Sequence, residues 1–371
     1  MSNESKSTFP EGPNDSTLGS LSPSEKRTKE TSETEVQLYP TVAYPIEGGA
    51  FWRVLVQGRL CHNAPPSLTK RLLLKGFIRA LDLDEATVKS EIFNERMHGF
   101  LVTPIARGRI QISLGGQTYV LPRKSKSSGL FQCKLDLPKR QLERFRRLGA
   151  ASVTSSNRIE CTIRWTDSVT TATSPVFLAD DTGISVISDI DDTIKLTDVC
   201  SRRKMLKRTF ADPFEAIEGM AGVYQQWAQN GALFHYVSSS PWQIYDSLQE
   251  FIDSSGFPSG SMHLKWFRLR DELFKRWQII RRKSKFGVIS NLVKRMPNRH
   301  FVLVGDSGEK DPEMYAKIAA KYPRQIVRIC IRQIEANPID TTRLNKIYKR
   351  YGMVVPMQIY SHAKQLGSNP A

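Results

Sequence analysis

Apolar positions recur with one period in the first half of this chain and another in the second, and the change falls near residue 180. Before it they alternate. Phe131, Cys133, Leu135 and Leu137 are separated by polar neighbours, as are Ile159, Cys161, Ile163 and Trp165, the pattern of half-buried strands. Phe51-Trp-Arg-Val-Leu-Val56 opens the series. Ile110-Gln-Ile-Ser-Leu114 and Gln117-Thr-Tyr-Val-Leu121 flank Gly115-Gly116, and a two-residue turn that tolerates positive φ predicts a hairpin. Residues 68–80 and 85–97 carry helical spacing instead. The expectation for 38–180 is a smaller β-rich domain with a helical insertion. No His, Cys or Asp cluster in it has ligand spacing, so its expected role is structural, or to orient the second domain on a partner.

Beyond residue 180 the apolar runs are short and no longer alternate regularly: Ile184 to Ile187, Ala232 to Val237, Phe301 to Val304 and Gln325 to Ile331. Such runs read as strands buried on both faces, and their alternation with helical patterns predicts an α/β domain with a parallel sheet over 181–371. Helices are expected over 213–229, from Lys285 to Met296, and over 313–321. The basic run 202–208 reads as a flexible stretch. Residues 1–37 are rich in Ser, Glu, Lys, Thr and Pro with almost no apolar content, and are expected to be disordered because they cannot offset their ordering entropy.

With 371 residues, one large or two ordinary domains are expected. The formal charge of +17 and the pI near 9.7 predict attraction to phosphates, nucleic acid or anionic lipid, and say nothing about the fold. Five scattered cysteines with no C-x-x-C pair fit a reducing compartment and free, mostly buried thiols. No apolar run approaches the roughly 20 residues needed to span a bilayer, and the amino terminus is polar. The expectation is a cytoplasmic protein, soluble or at most peripheral to a membrane.

Chemistry is concentrated at the strand ends. Val186-Ile-Ser-Asp-Ile-Asp-Asp-Thr193 delivers Asp189, Asp191 and Asp192 within four residues. Carboxylates so close raise one another's pKa, and a hard divalent cation reverses that penalty. Ligands of open α/β sheets bind beyond the carboxyl ends of the strands, where this cluster would lie. Alone, an Asp-rich loop is more often a solvated turn, and Ser238-Ser-Ser240-Pro241 is usually a helix start with Pro241 at its first position. His235, inside its strand, reads as a core residue. Three further stretches follow the Asp cluster in order: the serines, with Ser238 best placed; Lys285 at a helix start; and Gly305-Asp-Ser-Gly-Glu-Lys-Asp311, with small residues for tight turns and two carboxylates at a strand end.

In this order the four stretches resemble the motifs of the haloacid dehalogenase superfamily. Their wording, D-I-D-D-T, Y-V-S-S-S-P-W, Lys285 followed by Ile289, and G-D-S-G-E-K-D-P-E-M-Y, resembles the actin-patch type of Mg²⁺-dependent phosphatidate phosphatase over residues 183–332. The resemblance is weaker before that, resting on Gly58-Arg59 and the strand pattern. It implies a haloacid dehalogenase-like Rossmannoid catalytic domain that hydrolyses phosphatidate to diacylglycerol and phosphate through an aspartyl-phosphate. Asp189 is then the nucleophile, Asp191 the general acid and base, and Mg²⁺ is held by Asp189, the Asp191 carbonyl, Asp306 and Asp311. Lys285 and Ser238 hold phosphoryl oxygens, and Thr193 orients the loop. Ser239 stands where Asn is common in the family, which bears on the phosphate contact. The long Pro-rich carboxyl-terminal segment of some members has no counterpart, so no link to actin machinery is carried over.

Residues 265–285 carry nine Lys or Arg interleaved with Trp266, Phe267, Phe274 and Trp277. One reading packs the stripe Trp266, Leu269, Leu273, Trp277, Ile280 on the sheet. The other makes it a cap on the membrane surface, with Arg268, Arg270 and Lys275 at the substrate. The expected partner is phosphatidate in anionic membranes, with no obligate nucleic acid and protein partners left open. The competing readings are a phosphatase of nucleic acid ends or phosphoproteins, an inactive lipid-binding protein, and a structural adaptor.

Overall fold

The described chain starts with β1 (Thr34–Leu38) and β2 (Thr41–Ile46), both laid antiparallel on the long β3 (Phe51–His62). The structure is a computed structural model, and it describes residues 34–150, 157–166, 169–265, 277–352 and 355–371. β1 corrects the expectation for residues 1–37. Val36 and Leu38 alternate with polar neighbours and point into the core, and five residues of alternation were too short to stand out from the polar segment before them.

β4 (Thr103–Pro104), β5 (Ile110–Leu114), β6 (Gln117–Val120), β7 (Leu130–Pro138), β8 (Arg158–Trp165) and β9 (Thr171–Leu178) complete a nine-stranded sheet in the order β1-β3-β2-β9-β8-β5-β6, with β4 and β7 also on β3. The β5–β6 hairpin turns at Gly115 and Gly116, both at positive φ, as the sequence predicts. The helical insertion forms Leu68–Leu81, Glu85–Lys89 and Glu91–Leu101. The expected single helix over 85–97 is interrupted at Ser90, whose hydroxyl accepts from the Phe93 N–H and starts a new helix.

The second sheet is parallel throughout: β10 (Ile184–Ser188), β11 (Leu233–Pro241), β12 (Gly260–Lys265), β13 (His300–Asp306), β14 (Ile326–Arg332) and β15 (Met357–Tyr360), in the order β12-β11-β10-β13-β14-β15. Successive residues of each strand enter different cores. Val186, Val302, Val304 and Cys330 face the helices Met220–Gln229 and Tyr245–Ser254, while Ile187, Leu303, Ile329 and Ile331 face Trp277–Arg295, Asp311–Lys321 and Thr341–Tyr351. Burial on both faces is why these strands read as apolar runs without regular alternation.

Both cores run into the first sheet. Phe77, Phe93, Met97 and Phe100 of the helical insertion join the first core, and Val42, Tyr44 and Phe177 join the second. Residues Glu33–Ala371 accordingly form one compact unit.

Four local expectations change. Residues 202–208 are part of a helix, Arg202–Phe210, because Met205, Leu206, Thr209 and Phe210 share one buried face. The helix expected from 213 begins at Met220, since residues 215–217 instead hydrogen-bond to the loop after β10 (Leu196 N–H to Glu215 O, 2.8 Å; Ile217 N–H to Ile194 O, 2.9 Å). Ser238 to Pro241 extend β11 rather than begin a helix. Lys285 lies within the helix Trp277–Arg295, not at its start.

Candidate active site

Counted along the chain, the parallel strands lie in the order 3-2-1-4-5-6, so the direction of progression reverses between β10 and β13. Crevices at such a reversal, beyond the carboxyl ends of the strands, are where open α/β sheets bind ligands. Ser188 is in register with Val304, which brings Asp189 beside the Gly305-Asp306 end of β13. Gly305 is required here by close approach: a Cβ on it would run into the Asp311 carboxylate and the Tyr315 ring.

After β10 the chain turns tightly. Thr193, Ile194 and Lys195 all donate backbone N–H to Ile190 O, and Asp192 takes a left-handed φ of 54°. The Asp192 carboxylate accepts from the N–H groups of Thr197 (2.8 Å), Asp198 (3.0 Å) and Val199 (2.6 Å), which makes it the brace of the loop. The turn sends Lys195 back beneath Asp191. Its Nζ lies 3.0 Å from Asp191 Oδ1 and donates to Thr197 Oγ1 at 2.6 Å, and the hydroxyl of Thr197 donates on to the same Asp191 oxygen at 3.0 Å. Asp191 Oδ2 accepts from Ser238 (2.9 Å) and Ser240 (2.8 Å). All of these side chains are buried.

On the other side of Asp189 lies a second cluster. Lys285 Nζ is 3.0 Å from Asp189 Oδ1 and 2.8 Å from both oxygens of Asp311. Asp306 Oδ1 accepts from the N–H groups of Gly308 and Glu309, and its buried Oδ2 finds no hydrogen-bond partner. One carboxylate oxygen from each of Asp189, Asp306 and Asp311 lies within 4.8 Å of the others. Burial, then the neighbouring Asp311 and Asp191 charges, push Asp189 well above the usual carboxylate range, against the pull of Lys285. Burial, Asp311 and Asp189 do the same to Asp306. Burial alone would depress Lys285, but Asp189 and Asp311 outweigh it and raise the ammonium above its ordinary value. One lysine among three buried carboxylates leaves negative charge in excess. Together with the orphaned Asp306 Oδ2, this is a setting that fits a hard divalent cation.

A cleft of about 700 Å³ opens on the cluster, with Val199, Ser239, Lys285, Gly308 and Asp311 in its walls. The structure therefore brings together Asp189, Lys285, Asp306 and Asp311, and sets Asp191 with Ser238 alongside. Of the three serines, Ser239 reaches the cleft, whereas Ser238 and Ser240 donate to Asp191. The Thr193 hydroxyl is buried and finds no partner. His235 is buried between Ser261 and Ser185, and burial drives its pKa well down, as befits a core residue. Arg268, Arg270 and Lys275, with Trp266, Phe267, Leu269, Leu273 and Phe274 of the aromatic stripe, lie outside the described residues, while Trp277 and Ile280 fall in the first turn of the helix Trp277–Arg295.

Sequence reasoning missed Lys195, Thr197 and Ser240. Lys195 sits only four residues beyond Asp191, but its inward turn depends on the left-handed Asp192, and although Asp tolerates that conformation, three nearby aspartates leave open which one adopts it.

Residues 184–333 match the family model described as phosphatidate phosphatase APP1, catalytic domain. The chain is 38% identical over 154 residues to phosphatidate phosphatase APP1 of Saccharomyces cerevisiae, covering 40% of this chain and 26% of that protein. It is 34% identical over 165 residues to an uncharacterized protein of Schizosaccharomyces pombe, covering 43% and 27%. The aligned segment thus spans about a quarter of the length of these curated relatives. A solved β-glucuronidase of Parabacteroides merdae aligns at a TM-score of 0.26 and 8% identity over 82% of this chain and 34% of that one, too low a likeness to carry an argument. Over residues 184–333, the span that holds every member of the buried acidic cluster, the chain is similar to the catalytic domain of phosphatidate phosphatase APP1.

Proposed function

We propose that this chain is a Mg²⁺-dependent phosphatidate phosphatase with a haloacid dehalogenase-like catalytic domain, acting at the cytoplasmic surface of a membrane as a peripheral protein. The observation that carries the reading is the Lys285–Asp189–Asp311 contact beside the orphaned Asp306 oxygen. A lone nucleophile would not need two further buried carboxylates, whereas a phosphoryl-transfer site does.

Asp189, Asp306 and Asp311 would hold the ion, joined by the Asp191 carbonyl. When bound, Mg²⁺ supplies charge neutralisation to a dianionic phosphate monoester. Asp189 then attacks phosphorus in line, forming an O–P bond as the bond from phosphorus to the glycerol oxygen breaks. Asp191 gives its proton to the departing alkoxide and takes one from the water that later cleaves the aspartyl-phosphate, a role that typically contributes about 10²–10⁴-fold. Lys195, Thr197, Ser238 and Ser240 hold both Asp191 oxygens, so its position is set before substrate arrives, and the Ser238 and Ser240 hydroxyls can turn to accept when Oδ2 carries the proton. Lys285 and Ser239 flank the cleft where phosphoryl oxygens would lie.

Membrane work is consistent with the net charge of +17, and among the described residues no helix is long and apolar enough to cross a bilayer. All five cysteines are free thiols, four of them buried. A substrate panel tests the reading: phosphatidate in mixed micelles is expected to release phosphate with Mg²⁺, and a 3′-phosphorylated oligonucleotide or a phosphopeptide is not. Preference for either of the latter would reassign the substrate.

A further inference from the structure

The helix Leu68–Leu81 has a use that the catalytic cluster does not explain. One face packs inward through Leu73, Leu74, Phe77, Ile78 and Leu81. Positions 68, 71, 72, 75 and 79 recur at i, i+3, i+4, i+7 and i+11, a single stripe on the opposite side. The stripe sets Leu68, 78% exposed, and Leu72, 68% exposed, among exposed Arg71, Lys75 and Arg79. No Asp or Glu occurs in the helix. A single exposed leucine calls for no explanation, but two on successive turns of an acid-free basic stripe do.

The stripe is tied to the catalytic cleft. The Phe77 and Phe210 rings meet edge to face at 5.2 Å, and Arg203 pairs with Asp82 at 3.0 Å, so the helix Arg202–Phe210 lies alongside and adds exposed Lys204 and Lys207. That second helix starts at the cleft rim: Val199 lines the cleft, and Cys200 Sγ donates to Gly308 O at 3.8 Å. Asp82, one acidic group at the far end, is already engaged with Arg203.

We propose that the Leu68–Arg79 stripe docks on an anionic lipid bilayer, its leucines entering the boundary between headgroups and acyl chains and its basic residues meeting lipid phosphates. Charge complementarity selects this occupant over a neutral apolar partner. The proposal deepens the phosphatidate phosphatase reading and rests on it for its purpose, since the docked helix would hold the cleft rim against the layer that contains the substrate. Docking itself needs no turnover.

The experiment uses the full chain and vesicles of phosphatidylcholine, alone or mixed with phosphatidylserine, a lipid that is anionic but not the proposed substrate. The parent is expected to sediment with the mixed vesicles, less so at high salt. Leu68→Ser with Leu72→Ser, and separately Arg71→Glu, Lys75→Glu and Arg79→Glu together, are expected to weaken that binding by roughly tenfold or more. Melting temperature and hydrolysis of p-nitrophenyl phosphate should be unchanged, because the substituted side chains are exposed and outside the acidic cluster. Variant binding equal to the parent's overturns the proposal. So does a parent that ignores anionic vesicles, or one that self-associates through Leu68 and Leu72 in their absence, which would make a second copy the occupant. The two readings fail separately. Stripe-dependent vesicle binding without phosphatidate hydrolysis removes the phosphatase and keeps the docking; hydrolysis with stripe-independent binding does the reverse.

Discussion

Lys285 Nζ lies 3.0 Å from Asp189 Oδ1 with both side chains buried, and Lys285 also bridges to Asp311. The contact joins a residue at the end of β10 to a helix that arrives almost a hundred positions later in the sequence. Its ammonium is the cation that lets these carboxylates stay buried together when no metal ion is bound.

Removing it should therefore cost stability as well as activity. Lys285→Met leaves Asp189 and Asp311 without their counter-charge, and breaking a buried pair from one side costs about 3–5 kcal/mol. Asp189→Asn works the other way: turnover should fall by several orders of magnitude while the metal-free melting temperature stays level or rises, since one of the crowded charges is gone. Thermal melts in EDTA beside phosphate-release assays check both. A Lys285→Met protein as stable as the parent would contradict the electrostatic account.

The same crowding gives metal-free stability a pH dependence. Asp189 and Asp306 both have folded pKa values raised above those of the unfolded chain, so the fold favours their neutral forms. Their stabilising contribution is complete below the unfolded value, about 4, and is lost as pH rises through the raised folded values. Between pH 5 and 8 in EDTA the melting temperature should fall, and Asp306→Asn should flatten that fall. The buried His235 and His263, with pKa values lowered by burial, the latter to about 4, act in the opposite sense, so the difference between parent and variant is the quantity to read. Parallel curves would rule the effect out.

Lys195 is expected to act as a positioning residue for Asp191. Lys195→Met removes the 3.0 Å ion pair but keeps the buried volume. It should slow hydrolysis of phosphatidate, whose alkoxide needs a proton, by roughly 10²-fold or more. Hydrolysis of p-nitrophenyl phosphate, whose leaving group does not need one, should suffer much less. Equal losses on the two substrates would show that Lys195 only supports the fold.

The amino terminus supplies a structural test. Removing residues 1–33, whose composition offers little apolar surface, should leave the melting temperature unchanged. Removing residues 1–38 deletes β1 and with it buried Val36 and Leu38, each worth roughly 1.5–3 kcal/mol, along with the Glu35–His98 and Gln37–Asp246 contacts. A drop of several degrees is expected, measured by calorimetry on the two truncations. No difference between them would remove β1 from the stable fold.

Asp189 and Asp306 could be found in the sequence because each stands just past an apolar run, and Asp311 because it closes the same small-residue stretch as Asp306; it was the order of the four stretches, rather than any one of them, that singled these residues out. The β5–β6 hairpin was legible through Gly115 and Gly116. Lys195 and Ser240 were not, because their roles arise from a backbone turn and from an extension of β11 that bring them to Asp191. The helix Arg202–Phe210 was hidden by charge, its buried face resting on Met205, Leu206, Thr209 and Phe210 among five basic residues. β12 and β15 were missed as short edge strands, whose pairing on one side only needs less apolar sequence than a central strand.

The measurement that tests the central claim most directly is phosphate release from phosphatidate in mixed micelles by the purified full chain, with Mg²⁺, with EDTA, and with Mg²⁺ restored, set beside Asp189→Asn. The account predicts activity with Mg²⁺, its loss in EDTA, its return on adding the ion, and none in the variant. Release that persists in EDTA, or that survives in Asp189→Asn, would contradict it.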